Sequence, residues 1–174
     1  PQCVGPISVK DQKPLEVDLQ NFKDALSVSE ATDAFMNAAS PGVIAQFQPN
    51  QHYPDHSSYL YALADAMKVE YEGIAEAGLV IQIDSPDLAL GRHVLFKDQS
   101  DEEFITMAEL HIEALNHALQ NIPAEQLRLH VCWGNYQGPH HCDIEMKKIL
   151  PAVLKAKPMA LSFEGANPRH SHEW

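Results

Sequence analysis

The chain reads as an α/β protein built on a parallel sheet, and three observations carry that reading. Short apolar runs suited to buried strands recur along it, longer stretches between them keep apolar residues at helical spacing, and turn residues separate the two kinds of segment. Strands alternating with helices imply βαβ units with right-handed crossovers.

Five runs are strand candidates: "QCVGPISV", "GVIAQFQ", "LVIQID", "LRLHVCW" and "MALSFEG". Between them, Leu60, Leu63, Ala64, Met67, Tyr71 and Ile74 fall on one helical face, and Gly78 stands as the stop before the next strand. Phe104, Met107, Ala108, His111, Leu115 and Ala118 repeat the pattern after "SDEE", whose Ser100 and early acids suit a helix N-terminus. Met146, Ile149, Leu150, Val153 and Leu154 form a third stripe opened by Asp143, with Pro151 expected to kink or restart it. Val17 to Ala39 is predicted to be helical, in two pieces broken near "SVSE". A closed eight-stranded (β/α) barrel needs about 250 residues. The 174 residues here therefore suit one domain, either a smaller open sheet or a piece of a barrel.

Composition narrows the function classes. Hydrophobic residues make up 45% and charged residues 21%, a balance that supports a sizeable core. A net charge of -12 opposes nucleic acid and anionic membrane surfaces, which require a basic footprint. No apolar run approaches the roughly 20 residues of a membrane span, and no signal peptide is visible. The three cysteines, Cys3, Cys132 and Cys142, do not form a disulfide framework, so a reducing cytoplasm is expected. The sequence starts at Pro1 rather than Met, which suits a cut rather than a natural start.

In either architecture, chemistry belongs at the carboxyl ends of the strands. Gln46 and Gln48, Asp84, His130 with Cys132, and Glu164 stand at those ends in this reading, with Asp87 and Tyr53 as weaker candidates just beyond. His130 and Cys132, one residue apart on a strand, project from the same face. They are either two ordinary buried residues or, with Glu164 on the next strand, three donors of the kinds zinc takes.

Specific motifs add to this. "LRLHVCWGNYQGPHH", "LSFEGANPRHSHEW", "ASPGVIAQF" and "GLVIQIDSPDLAL" together resemble the cobalamin-independent methionine synthase family, above all its shorter single-barrel, methionine synthase II-like branch. Epoxyalkane:coenzyme M transferases are similar and lie nearby. The resemblance implies a (β/α)8 TIM-barrel fold, of which this chain is an incomplete barrel of about five strands from the later, C-terminal part. It implies a zinc ion that activates a thiol, homocysteine in the synthases, for attack on the methyl group of a methylated folate.

Carried over by position, His130 and Cys132 are the first two zinc ligands and Glu164 the third. Asp84, in "QIDSP", resembles the aspartate of the family's "QIDEP", which holds the substrate's amino group; Ser85 replaces that motif's glutamate. The family's fourth ligand is a cysteine on a later strand, which neither Cys3 nor Cys142 matches.

Asn167, Arg169 and His170 follow Glu164 near the rim, with Arg169 suited to a substrate carboxylate. Trp133 and Tyr136 are candidates for stacking on a flat ring such as a pterin, and His140 and His141 for lining the entrance. The leading expectation is therefore zinc-dependent methyl transfer to a thiol in methionine biosynthesis. The runner-up within the enzyme class is thiol addition to an epoxide; outside it stands a non-catalytic zinc- or ligand-binding barrel fragment. The chain alone is not expected to catalyse, and open barrel edges are expected to favour self-association.

Overall fold

The computed structural model describes residues 1–135, 137–166 and 168–173. Its centre is a four-stranded sheet, β1 (Phe35–Ala39), β2 (Val80–Asp84), β3 (Leu127–Val131) and β4 (Ala160–Phe163), parallel throughout and in the order β1-β2-β3-β4. Spatial order therefore follows chain order, and each crossover carries helix. The helices are α1 (Lys13–Ser27), α2 (Pro41–Phe47), α3 (His56–Glu76), α4 (Leu90–Val94), α5 (Asp101–Ala118) and α6 (Met146–Val153).

Alternation across the strands separates two faces. Ile81 and Ile83 of β2, with Leu127, Leu129 and Val131 of β3, are buried in the same cluster as Leu60, Tyr71 and Ile74 of α3 and Phe104, Ile112 and Leu115 of α5. Neighbouring helices pack side by side over this apolar face, α2 on α3, α3 on α5 and α5 on α6. The opposite face is polar and half-exposed. Asn37, Gln82 and Arg128 are paired in register there, and Ala39, Asp84, His130 and Ser162 form the row above.

Local chemistry explains most element ends. Asp55 caps α3, its carboxylate accepting from the Ser58 amide at 2.7 Å, and Gly78 follows the helix at φ 81. Ser100 and Glu103 form a full capping box at α5. At α6, Glu145 rather than Asp143 stands at the N-cap, and Pro151 is accommodated inside the helix near its end.

Two strand expectations are corrected. "GVIAQFQ" forms most of α2, because the Ser40 hydroxyl accepts from the Val43 amide at 3.0 Å and Pro41 pre-sets the first turn. Its strand is the preceding "FMNAA", in the stretch expected to be helical; α1 stops at Ser27 and β1 is held by pairing with β2. "QCVGPISV" contributes only an isolated parallel bridge, Cys3 with Asn50, since Pro6 removes a ladder donor. The described strands thus number four rather than five.

Candidate functional site

The rim begins at the last residues of β2 and β3. Asp84 and His130 are directly paired in the sheet and point to the polar face. The Asp84 Oδ1 lies 3.0 Å from His130 Nδ1, and Gln82 Nε2 donates to the same oxygen at 3.2 Å. One step down, Arg128 Nε donates to Gln82 Oε1 at 2.7 Å and its guanidinium lies 4.0 Å over the Phe35 ring. Arg128, Gln82, Asp84 and His130 therefore form one polar chain across two strands. It fixes the His130 ring with its carboxylate-bound nitrogen inward and Nε2 available.

Beyond β3 the chain turns sharply. Gly134 takes φ 87, where its Cβ would lie 2.8 Å from Leu90 Cδ1, so only glycine meets both demands. That turn brings the Gly134 amide back to donate to Cys132 Sγ at 3.2 Å. Burial pushes the Cys132 thiol above its usual range; the Gly134 hydrogen bond and the Arg169 charge oppose this, and the Glu164 and Asp84 carboxylates reinforce it. His130, Cys132, Asp84 and Glu164 thus share one electrostatic neighbourhood.

Imidazole and thiol on one strand end, with a carboxylate behind the imidazole, match the donor chemistry zinc prefers. Among the described residues, however, no three His, Cys, Asp or Glu side chains gather closely enough to hold a metal ion. Glu164 instead lies with Arg169, Oε2 4.0 Å from Nη2.

The other expected site residues are placed as follows. Arg169 Nη2 donates to the Gly134 carbonyl at 3.1 Å and its Nη1 meets His140 Nε2, so it ties the β4 loop to the β3 loop. Trp133 is wholly buried, its indole N–H donating to the Ile144 carbonyl at 2.8 Å, and lies under the rim rather than open to a ligand. His140 is half-buried, its Nδ1 2.9 Å from Asp143 Oδ2, whereas His141 is exposed. Ser85 is fully buried and its amide donates to the His130 carbonyl at 2.8 Å. Gln46 is buried within α2, and Gln48 ends that helix with its carbonyl accepting from the Tyr59 hydroxyl at 2.6 Å. Tyr53 accepts from the Ile7 amide at 2.8 Å. Asn167 and Tyr136 lie outside the described residues.

Sequence reasoning missed a second polar chain. The Ser40 hydroxyl donates to Asp87 Oδ1 at 2.7 Å, His111 Nδ1 lies 2.8 Å from Asp87 Oδ2, and His111 Nε2 lies 2.9 Å from His56 Nε2. Ser40, Asp87 and His111 are each under 5% exposed. Burial, then the neighbouring His111, push the half-buried His56 down to about 4. One signal was available: a histidine within the apolar stripe of α5 needs a polar partner.

No family model matches the chain. It is similar to proteins named methionine synthase in Saccharolobus and Sulfurisphaera species. The relative from Saccharolobus solfataricus is 30% identical over 166 residues, 92% of this chain and 45% of that protein. One from Saccharolobus islandicus is 30% identical over 145 residues, 80% and 40% of the respective chains. One from Sulfurisphaera tokodaii is 28% identical over 125 residues, 71% and 32%. This chain spans less than half the length of these curated relatives. Motifs, parallel α/β architecture and relatives agree, and the chain belongs to the methionine synthase family as a counterpart to part of its members' length.

Proposed function

We propose that the protein containing this chain is a methyltransferase that methylates a homocysteine-type thiol to form methionine, with a methylated folate as donor. The observation that carries the reading is the Asp84–His130 pair at adjacent strand ends, with Cys132 two residues on and Glu164 in the same electrostatic neighbourhood. In this reading the sequentially ordered sheet is half of a (β/α)8 barrel, its polar face turned inward and its remaining strands supplied from outside the chain.

His130, Cys132 and Glu164 would hold zinc together with a donor from beyond this chain. Bound there, zinc would supply the charge that keeps a substrate thiol as thiolate at neutral pH. Asp84 uses Oδ1 for His130 and Gln82, so Oδ2 can take the ammonium of an amino-acid substrate. Arg169 offers a guanidinium for its carboxylate once Glu164 turns to the metal. Leu90 and the Gly134 turn shape the wall beside the thiol.

The test is zinc content and methyl transfer of the full-length protein, compared with its Cys132→Ser variant. Stoichiometric zinc and methionine formation, both lost in the variant, support the reading. A full-length protein that forms methionine without zinc, or holds zinc equally well with Cys132→Ser, overturns the ligand assignment.

A further inference from the structure

His56 and His111 approach each other through Nε2 at 2.9 Å, with ring planes 34° apart and centroids separated by 5.1 Å. They come from different elements, the first turn of α3 and the middle of α5, and are 55 residues apart in sequence. Behind His111 stands a buried support. Asp87 Oδ2 accepts from His111 Nδ1–H at 2.8 Å, and Asp87 Oδ1 accepts from the Ser40 hydroxyl at 2.7 Å.

With its proton committed to Nδ1 by that carboxylate, His111 has its lone pair at Nε2, directed at His56. A carboxylate behind one ring nitrogen, with the other nitrogen presented outward, is the arrangement that orients metal-ligating histidines. The α2 backbone closes over the support: a Cβ on Gly42 would lie 2.0 Å from Asp87 Oδ2 and 2.4 Å from His111 Nδ1. His111 is 4% exposed, while His56 is half-buried, so the pair is rigid on one side and reachable from solvent on the other.

We propose that His56 and His111 form a binding site for a divalent transition metal of the imidazole-preferring group, zinc, nickel or cobalt. Exchange of the His56 proton from Nε2 to Nδ1 through solvent gives the ion the Nε2 lone pair in place of the hydrogen bond that His56 now donates. No third His, Cys, Asp or Glu among the described residues joins the pair, so water completes the coordination. The site contains no thiol and shares no ligand with His130, Cys132 and Glu164. It goes beyond the methyl-transfer reading and stands independently of it.

Cobalt(II) titrated into the metal-stripped chain by calorimetry and absorbance tests this, with Cys132→Ser as the background so that no thiolate from that position contributes. The expected result is one equivalent bound by Cys132→Ser, without thiolate-to-cobalt charge transfer. Adding His56→Ala on the solvent-facing first turn abolishes that equivalent. Adding Asp87→Asn, which keeps both imidazoles, weakens it roughly 10–100-fold. Circular dichroism of each variant checks that the fold is retained. Cobalt uptake that is equal with and without His56, including none in both, overturns the site. An additional equivalent bound by the parent and absent from Cys132→Ser bears only on the ligands of the methyl-transfer reading, whereas no cobalt bound by Cys132→Ser overturns the site.

Discussion

Asp84 and His130 occupy directly paired positions on neighbouring parallel strands, and the carboxylate oxygen of one lies 3.0 Å from Nδ1 of the other. The contact fixes the imidazole's tautomer and its direction, because Nδ1 must carry the proton to meet the carboxylate. Replacing Asp84 by Ala frees the ring without altering its donors. In the full-length protein, zinc affinity measured by chelator competition is expected to fall roughly 10–100-fold for Asp84→Ala. An unchanged affinity would assign Asp84 to substrate alone.

Gly42 separates steric demand from conformational demand. It lies inside α2, and its Cβ position falls 2.0 Å from Asp87 Oδ2 and 2.4 Å from His111 Nδ1, two buried atoms. Gly42→Ala must displace the Asp87–His111 pair or the start of α2. The expected cost is about 3 kcal/mol, the upper end of overpacking, or a Tm lower by about 6–12 °C for a chain of this size. Gly5→Ala is the control: nothing lies within 4 Å of its Cβ position, and the melting temperature is expected to stay within about 2 °C of the parent.

What the sequence revealed follows how local the determinants are. α3 and α5 are legible because their caps and apolar stripes lie within each helix, Asp55 with Ser58 and Ser100 with Glu103. β2, β3 and β4 are legible because they are short apolar runs between turns. β1 is not: Met36 and Ala38 carry too little apolar weight to mark a strand, and its pairing with Val80–Asp84 decides it. "GVIAQF" misled because its residues favour strands while the Ser-Pro start favours a helix, and the capping bond decided. At the site, His130 and Cys132 were visible from their spacing. The Ser40–Asp87–His111–His56 chain was not, since its contacts span 47, 24 and 55 residues.

Asp101 gives the fold an acid-sensitive tie. At the start of α5, its carboxylate accepts from Lys148 Nζ of α6 at 2.7 Å and from Arg92 Nε of α4 at 3.2 Å. Lys148 above all holds the carboxyl below its usual value of 3.8; burial opposes this, and Arg92 adds to the lowering. A carboxyl with a depressed folded-state pKa contributes stability that is present above 3.8 and lost as pH falls through the depressed value. Urea midpoints are expected to drop more steeply in the parent than in Asp101→Asn as the pH falls below 3.8. Added salt should narrow that difference, because the Lys148 arm of the tie is solvent-exposed. Parallel profiles for the two proteins would exclude the tie as a source of acid lability.

Gly134 combines both demands at the turn behind Cys132, and a double substitution separates them. Its φ of 87 disfavours any side chain, at about 1 kcal/mol. Its Cβ position also lies 2.8 Å from Leu90 Cδ1 and 3.4 Å from Leu90 Cδ2, so a methyl group there meets the Leu90 side chain. Gly134→Ala alone is expected to cost about 2–4 kcal/mol, the sum of strain and overpacking. With Leu90→Ala in place, the clash disappears and only the backbone strain remains, so the same change should cost about 1 kcal/mol. Chemical denaturation of the two single variants, the double variant and the parent closes the cycle, with an expected coupling of 1–3 kcal/mol. Zero coupling would mean that the Leu90 side chain moves aside freely, and that the turn presenting Cys132 rests on backbone conformation alone.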